Sequence, residues 1–557
     1  MVAWLPTRTM LAALLLCASS VSAASAASTE LPRLVVLVSV DQLREGQLDR
    51  LAEHLDGGLG RFLREGHRLH GALLPYAASE TGPGHVSFAT GCLPVTHGVV
   101  GNEWTLRKDG SKVYCVGGPS GLVAASGPVA GSGRDASNLE RATLGDLMRQ
   151  RWPEARVVGV SGKDRGAIGM AGARATTALW WDRGGRGWLS SDAYGERLPS
   201  WASDASAAWP DLAAGWTWTP GFGAEDAPRG TGPDARAGEG RLPGGDGTLP
   251  WTLRAPEGEA DASALARMGS QVYSTPLMDA LTLDLAQRAV EGADLGGDAV
   301  PDLLTVSLSA CDAVGHMAGP LSVEATDTIL RADDGLGALF ALLDARVGEG
   351  RWVACLSADH GVVDLPEHQA ARGAYGRRIT GADQRPLRAA LRAKAEELYG
   401  SPCGVTIQFR EVRLDEAAVR EAGGDPAVLR RELAQVVRDQ ASWVEQVFTY
   451  EELIGSGAAG VLGMYQRSSR PDSAPDLELH TRPGVYVGFD TGTSHGSAHA
   501  YDRSVPLAFL GGGVAPGLRD DPASSLDAVP SLLALLGWSA EELAALDLDG
   551  RDLGLQR

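Results

Sequence analysis

Thr81 opens the stretch Thr81-Gly82-Pro83-Gly84-His85, which runs into the apolar Val86-Ser87-Phe88-Ala89. Proline and glycine ahead of such a run predict a hydroxyl at the mouth of a helix, where unpaired backbone N–H groups and the helix dipole favour an anion. A threonine there is ordinarily a plain helix cap. Four further segments, which carry carboxylates, imidazoles or cations, change that reading and make Thr81 the candidate nucleophile. Asp41 ends Leu34 to Val40; Asp312 and His316 follow Leu303 to Ser309; Asp359 and His360 follow Arg351 to Ser357; Lys163 and Arg165 follow Arg156 to Val160. His495 comes later, in Thr493-Ser494-His495-Gly496.

Asp312 and His316 are four apart, one face of a helical turn and a workable half-site for a metal. Lys163 and Arg165 are two apart, so on an extended backbone both cations point the same way and converge on one anion. The carboxylates and imidazoles together supply oxygen and nitrogen ligands for two zinc ions without a thiolate, the donor set of a two-metal hydrolytic site.

The elements that must position these side chains are apolar, β-branched runs. Leu34-Val35-Val36-Leu37-Val38-Ser39-Val40 is a continuous one, as expected of a parallel strand covered on both faces. The others are shorter versions of it. In open α/β sheets ligands bind beyond the carboxyl ends of the strands, which is where each candidate stands.

At 557 residues, 44% hydrophobic and 22% charged, the chain buries a large core. A net charge of −20 argues against a nucleic-acid or anionic-membrane partner and leaves a small phosphorylated ligand in a local basic pocket. Arg8, the apolar stretch Met10 to Ala18 and the small residues through Ala27 predict a cleaved signal peptide over residues 1–27 and a periplasmic or secreted product. No later run approaches the ~20 apolar residues of a membrane span. Beyond Cys17 there are five cysteines. This odd number requires at least one free thiol unless two chains are linked; Cys311 and Cys355 lie in apolar runs as free core residues, and Cys92 with Cys115 is the expected disulfide.

The motifs Ser39-Val40-Asp41-Gln42, Glu80-Thr81-Gly82-Pro83-Gly84-His85, His97-Gly98-Val99-Val100-Gly101-Asn102-Glu103-Trp104, Lys163-Asp164-Arg165-Gly166, Asp312-Ala313-Val314-Gly315-His316, Ala358-Asp359-His360-Gly361 and His495-Gly496-Ser497 occur in one order across nearly the whole chain. In this the sequence resembles the alkaline phosphatase superfamily, and within it the PafA-like, phosphate-irrepressible enzymes related to type I phosphodiesterase/nucleotide pyrophosphatases. The resemblance implies an α/β fold, a three-layer α/β/α sandwich with a mostly parallel central sheet and an inserted α/β subdomain, in one catalytic domain over residues 28–557. It implies two Zn2+ per subunit, one held by Asp312, His316 and His495, the other by Asp41, Asp359 and His360 with Thr81 reaching toward it. It further implies hydrolysis of small phosphate monoesters through a phosphothreonine at Thr81. Asn102, Lys163 and Arg165 would meet the phosphoryl oxygens, and the Lys-x-Arg pair resembles that of the monoesterases. A phosphodiesterase or nucleotide pyrophosphatase on the same metals is the alternative. Oligomeric state, monomer included, stays open.

Cys92-Leu93-Pro94-Val95-Thr96 is superficially similar to the sulfatase Cys-x-Pro-x-Arg motif, but Thr96 stands at the arginine position and the motif falls after the nucleophile helix. Cys311 occupies a place where a hydroxyl or small residue is expected. Residues 220–261, rich in Gly, Pro, Asp and Glu, read as a flexible surface insertion without tight packing. Residues 376–473 alternate helical stretches (Pro386 to Leu398, Asp425 to Trp443) with the strand-like Val405 to Phe409, and read as an inserted α/β cap that walls the site.

Overall fold

The computed structural model describes residues 31–242, 245, 247–253 and 262–556. The expected signal peptide lies outside them. Five apolar runs form strands at the centre of an eleven-stranded sheet: β1 (Leu34–Val40), β2 (Val157–Ser161), β3 (Thr177–Asp182), β4 (Asp302–Leu308) and β5 (Trp352–Ser357). Their spatial order is β5-β1-β4-β2-β3, and every neighbouring pair among them is parallel. The expected α/β class holds, but the pairing is mixed outside this centre: β3 continues outward into antiparallel pairing, and His67–Leu69 pairs parallel with Gly517–Arg519 at the opposite edge.

Both faces of the sheet are covered, which is why the runs are apolar without alternation. Leu34, Val36, Val38 and Val40 join one core cluster, while Val35 and Leu37 join another on the opposite face. Helices α1 (Thr81–Thr90), α2 (Asp164–Ala171) and α3 (Ala310–Ala318) start beside the carboxyl ends of these strands. At the last turn of the sheet the apolar pattern gives way to a row of serines: Ser161, Ser307, Ser39 and Ser357 are in register across β2, β4, β1 and β5. Small side chains there let the helices approach and give the site a polar floor; Ser161 Oγ donates to Ser307 Oγ at 3.1 Å.

Between β5 and the last ligand segment lies a separate core. Helices α4 (Arg385–Tyr399) and α5 (Pro426–Gln440) pack with the four-stranded antiparallel sheet of β6 (Thr406–Gln408), β7 (Glu411–Arg413), β8 (Val444–Thr449) and β9 (Leu477–Thr481). Leu391, Val412, Leu429, Leu433 and Leu477 are fully buried in it. The chain then returns to the main sheet as β10 (Ala508–Gly511), antiparallel to β5.

One expectation needs correction. Cys92 and Cys115 are both free thiols. Cys115 Sγ sits against Gly82 at the start of α1, whereas Cys92 follows the helix's end. Ten helical residues separate them by ~15 Å, more than twice a disulfide's Cα span. The described part of 220–261 is largely exposed or half-buried but anchored at a few points: Leu242, Trp251 and Leu253 are buried in the main core, and Trp251 pairs in register with Trp218. A few large apolar anchors fix the segment, and the average composition around them hides their effect. Arg236 Nη2 and the Gly240 N–H further tie it to the carbonyls of Ala318 and Met317, at 3.0 and 2.8 Å.

Candidate active site

Thr81 is the first residue of α1 and is 1% exposed. The helix mouth is organised by two neighbours. Asn102 Oδ1 accepts from the Gly82 N–H at 2.7 Å, while the Asn102 N–H donates to Glu80 Oε2 at 2.9 Å. With its oxygen engaged, the Asn102 amide has its NH2 group left to donate to a ligand at Thr81.

Lys163 and Arg165 do converge, though not along an extended strand. Lys163 is the N-cap of α2 and Arg165 lies in its first turn. Lys163 Nζ and Arg165 Nη2 both reach Thr81 Oγ1, each at 3.4 Å. Arg165 is held from behind: its Nη1 donates to Tyr114 Oη at 3.4 Å, Tyr114 donates to Asp164 at 2.6 Å, and Arg134 pairs with the same carboxylate at 2.6 Å. Its Nε is buried without a partner.

Asp41, Asp312 and Asp359 all stand past strand ends, as the parallel topology requires. Lys163 Nζ bridges Asp41 Oδ2 at 2.5 Å and Asp312 Oδ2 at 2.6 Å. Burial, then the carboxylates of Asp312 and Asp359, push Asp41 well above the usual carboxylate range. Burial also opposes ionisation of Asp312 and Asp359, but His316 and Lys163 outweigh it for the first, and His360 and His85 for the second, so both lie below that range. Burial works against the Lys163 ammonium too; Asp312 and Asp41 overcome it and raise the lysine. One lysine therefore faces three buried carboxylates, an acidic excess that divalent cations would balance.

The imidazoles fit the same purpose. His316, His360 and His495 each turn Nδ1 to a backbone carbonyl, of Thr493, Gly361 and Ser79, at 2.8, 3.0 and 2.7 Å. A carbonyl only accepts, so Nδ1 carries the proton and Nε2 of the neutral ring presents its lone pair. Burial, followed by neighbouring rings, holds His495 well below the ordinary histidine value, and burial lowers His360. His316 is the exception: burial pulls it down, but Asp312 leaves it raised.

The donor atoms cluster as a metal centre would need. Asp41, Asp359 and His360 place one ligand atom each within 4.8 Å of one another. Asp41 Oδ1, Asp359 Oδ2 and His360 Nε2 are all buried without a hydrogen-bond partner. On the other side Asp312 Oδ1 lies 3.1 Å from His316 Nε2 and 3.7 Å from His495 Nε2. Asp312 and His495 also group with His360, whose ring stacks on His495 at 3.5 Å, so the two donor sets form one continuous cluster. Orphaned buried lone pairs of this kind are expensive unless an ion meets them.

Reasoning from strand ends alone misses three residues. Gln42 donates through Nε2 to Asp312 Oδ1 at 2.7 Å and through its N–H to Asp359 Oδ1 at 3.1 Å, and takes a left-handed φ of 74° to do so. His85, one turn along α1, contacts Thr81 O and Ser307 Oγ at 2.8 Å each and Asp359 Oδ2 at 3.2 Å. Arg410, from the turn between β6 and β7, donates to the carbonyl of Gly496, next to His495. The first two stand inside the motifs, one beside Asp41 and one four residues from Thr81, and that adjacency was the available signal. Nothing local marks Arg410.

The model of the family described as type I phosphodiesterase / nucleotide pyrophosphatase matches residues 35–502. The chain belongs to that family. Among curated proteins it is 29% identical to alkaline phosphatase PhoV of Synechococcus elongatus, over 91% of this chain and 90% of that one. It is 28% identical to alkaline phosphatase PafA of Elizabethkingia meningoseptica, over 91% of each. The crystal structure of wild-type PafA superposes with a TM-score of 0.84 at 26% identity, covering 95% of this chain and 99% of that one. The PafA-like resemblance read from the motifs therefore holds for the chain and for its fold.

Proposed function

We infer that this chain is a zinc-dependent phosphomonoesterase, exported behind a signal peptide over residues 1–27, that hydrolyses small phosphate monoesters through a phosphothreonine at Thr81. The observation that carries the reading is the convergence of Lys163 Nζ and Arg165 Nη2 on Thr81 Oγ1 at the mouth of α1. Together with the Asn102 amide they offer donors to the non-bridging oxygens of a monoester dianion. A diester carries a second substituent there and less negative charge, so two fixed cations favour the monoester and place the phosphodiesterase reading second. The names of the similar alkaline phosphatases support the same choice.

Asp312, His316 and His495 would hold one zinc ion, and Asp41, Asp359 and His360 the other. Bound there, the two ions would acidify the attacking hydroxyl and stabilise charge on the departing oxygen. The chain's own contribution is positioning. Helix α1 aims the Thr81 hydroxyl at the phosphoryl group, Asn102 fixes the first turn, and Gln42 sets Asp312 relative to Asp359. Lys163 and Arg165 gain partners as negative charge builds on the phosphoryl oxygens.

The test is Thr81→Ala against Thr81→Ser on an aryl phosphate, with zinc content measured for both. Thr81→Ala loses at least ~10^3-fold in turnover at unchanged zinc, since it removes the attacking atom; Thr81→Ser keeps substantial activity. Activity of Thr81→Ala within tenfold of wild type would remove Thr81 from the mechanism.

A further inference from the structure

A cavity of about 510 Å³ lies between the β6–β9 subdomain and the catalytic sheet, lined by Asn102, His316, His495, Tyr486, Phe409 and Phe489. It opens beside His316 and His495, which with Asp312 would hold the zinc ion farther from the attacking Thr81 and so nearer the departing oxygen. An alcohol released there enters this cavity. A role for the cavity therefore rests on the phosphomonoesterase reading and extends it to the part of the substrate that leaves.

Two phenylalanines at the cavity are out of keeping with an ordinary surface. Phe409 is 46% exposed and Phe489 72%, yet their rings touch edge to face with centroids 6.3 Å apart. The pair keeps apolar area in water beside a polar site, at a place where two unrelated loops meet. Phe409 also holds a φ of 52° in the two-residue turn between β6 and β7. A turn of that kind ordinarily takes glycine or asparagine, and a bulky residue there strains the backbone.

The turn is also fixed. Gln384 Nε2 donates to the carbonyl of Phe409 at 2.5 Å, and the Leu479 N–H to that of Arg410 at 2.8 Å. The Arg410 side chain spans the gap to the Gly496 carbonyl, one residue past His495. The Phe409 ring is thus placed relative to His495 by a chain of hydrogen bonds rather than carried on a loose tip.

We propose that Phe409 and Phe489 form a leaving-group subsite, which selects phosphate monoesters whose alcohol carries an aromatic ring. Such a ring stacks or packs edge-on against the exposed pair, while the polar lining next to Asn102 leaves the phosphoryl end wet.

The experiment compares 2-phenylethyl phosphate with ethyl phosphate, two primary alkyl esters that differ in the distal ring while keeping similar leaving groups. Wild type, Phe409→Gly, Phe489→Ala and the double variant are assayed at equal zinc content. Phe409→Gly is safe for folding because glycine suits the φ at that position. Wild type is expected to prefer the phenylethyl ester about tenfold in kcat/KM. Each single variant should cut that preference at least threefold, and the double variant should abolish it. The Ki ratio of ethylphosphonate to 2-phenylethylphosphonate should fall in parallel. A wild type without preference, variants that keep it, or variants that slow both esters alike would overturn the subsite. If wild type hydrolyses neither ester, the reading of function fails instead, and the subsite is decided by the phosphonate ratio alone.

Discussion

The two donor sets of the site are built differently. Asp41, Asp359 and His360 come directly off the ends of β1 and β5, and their side chains are fully buried. Asp312, His316 and His495 come from a helix and from a distant segment that follows the inserted subdomain; His316 keeps 36% of its side chain exposed. The first set is positioned by the sheet itself. The second depends on α3, on carbonyls of Thr493 and Ser79, and on Arg410 pinning Gly496. A site made this way pairs a rigid half with a half that solvent and the inserted subdomain reach.

Substituting one ligand in each half should break that comparison most sharply. Asp359→Asn is expected to lower kcat/KM by ~10^3-fold or more, with zinc lost that excess metal does not restore. His316→Ala should cost ~10–100-fold at limiting zinc and recover as zinc is added, because the position it vacates is open to solvent while Asp312 and His495 remain as donors. Equal losses with equal recovery would mean the halves are not distinct. A chelator titration of wild type provides the matching readout: one zinc should leave before the other, and simultaneous loss would contradict the asymmetry.

The rigid half also depends on a close approach. A Cβ on Gly84 would fall 2.1 Å from the Asp359 carbonyl oxygen, so α1 lies against the end of β5 only because residue 84 has no side chain. Gly84→Ala should shift α1 and cost ~2 kcal/mol of stability, with a ~10–100-fold loss of activity through misplacement of Thr81. Urea unfolding and kcat/KM report the two effects separately.

The smallest effect separates acid loss of metal from acid loss of fold. His97 is buried against α1, and burial lowers it to about 3. The unfolded chain protonates this ring below about pH 6.5 while the folded one does not until about 3, so stability falls as pH drops between those values. Burial lowers His480 likewise to about 3. His97→Gln in metal-free protein should flatten the fall of the urea midpoint between pH 6.5 and 4. An unchanged slope would assign the acid sensitivity elsewhere.

Most of both donor sets is legible in the sequence, and what is not legible is how the inserted subdomain completes the second. Continuous apolar runs announce parallel strands, and a carboxylate just beyond such a run has a defined place in an α/β sheet, so the positions of Asp41, Asp312 and Asp359 follow from the runs that precede them. Helical spacing likewise brings Asp312 and His316 together. Lys163 and Arg165 converge as expected but not along an extended strand, because an N-cap and the first turn of a helix bring them together. Arg410 and the aromatic pair of Phe409 and Phe489 carry no such signal: each depends on how the inserted subdomain docks, which spacing along the chain does not encode. The Cys92–Cys115 pairing fails for a local reason, since α1 separates the two thiols.

The most direct measurement of the central claim is kcat/KM of the Lys163→Ala, Arg165→Ala double variant on an aryl phosphate and on a matched diester with the same leaving group, at verified zinc content. Charge-assisted contacts are worth roughly 1.5–3 kcal/mol each, so the monoester reaction should fall by ~10^3-fold or more. The diester reaction should fall by less than ~10-fold, because its phosphoryl oxygens carry less charge for the two cations to meet. If zinc is intact and both reactions fall alike, Lys163 and Arg165 do not read phosphate charge, and the phosphodiesterase assignment replaces the monoesterase one.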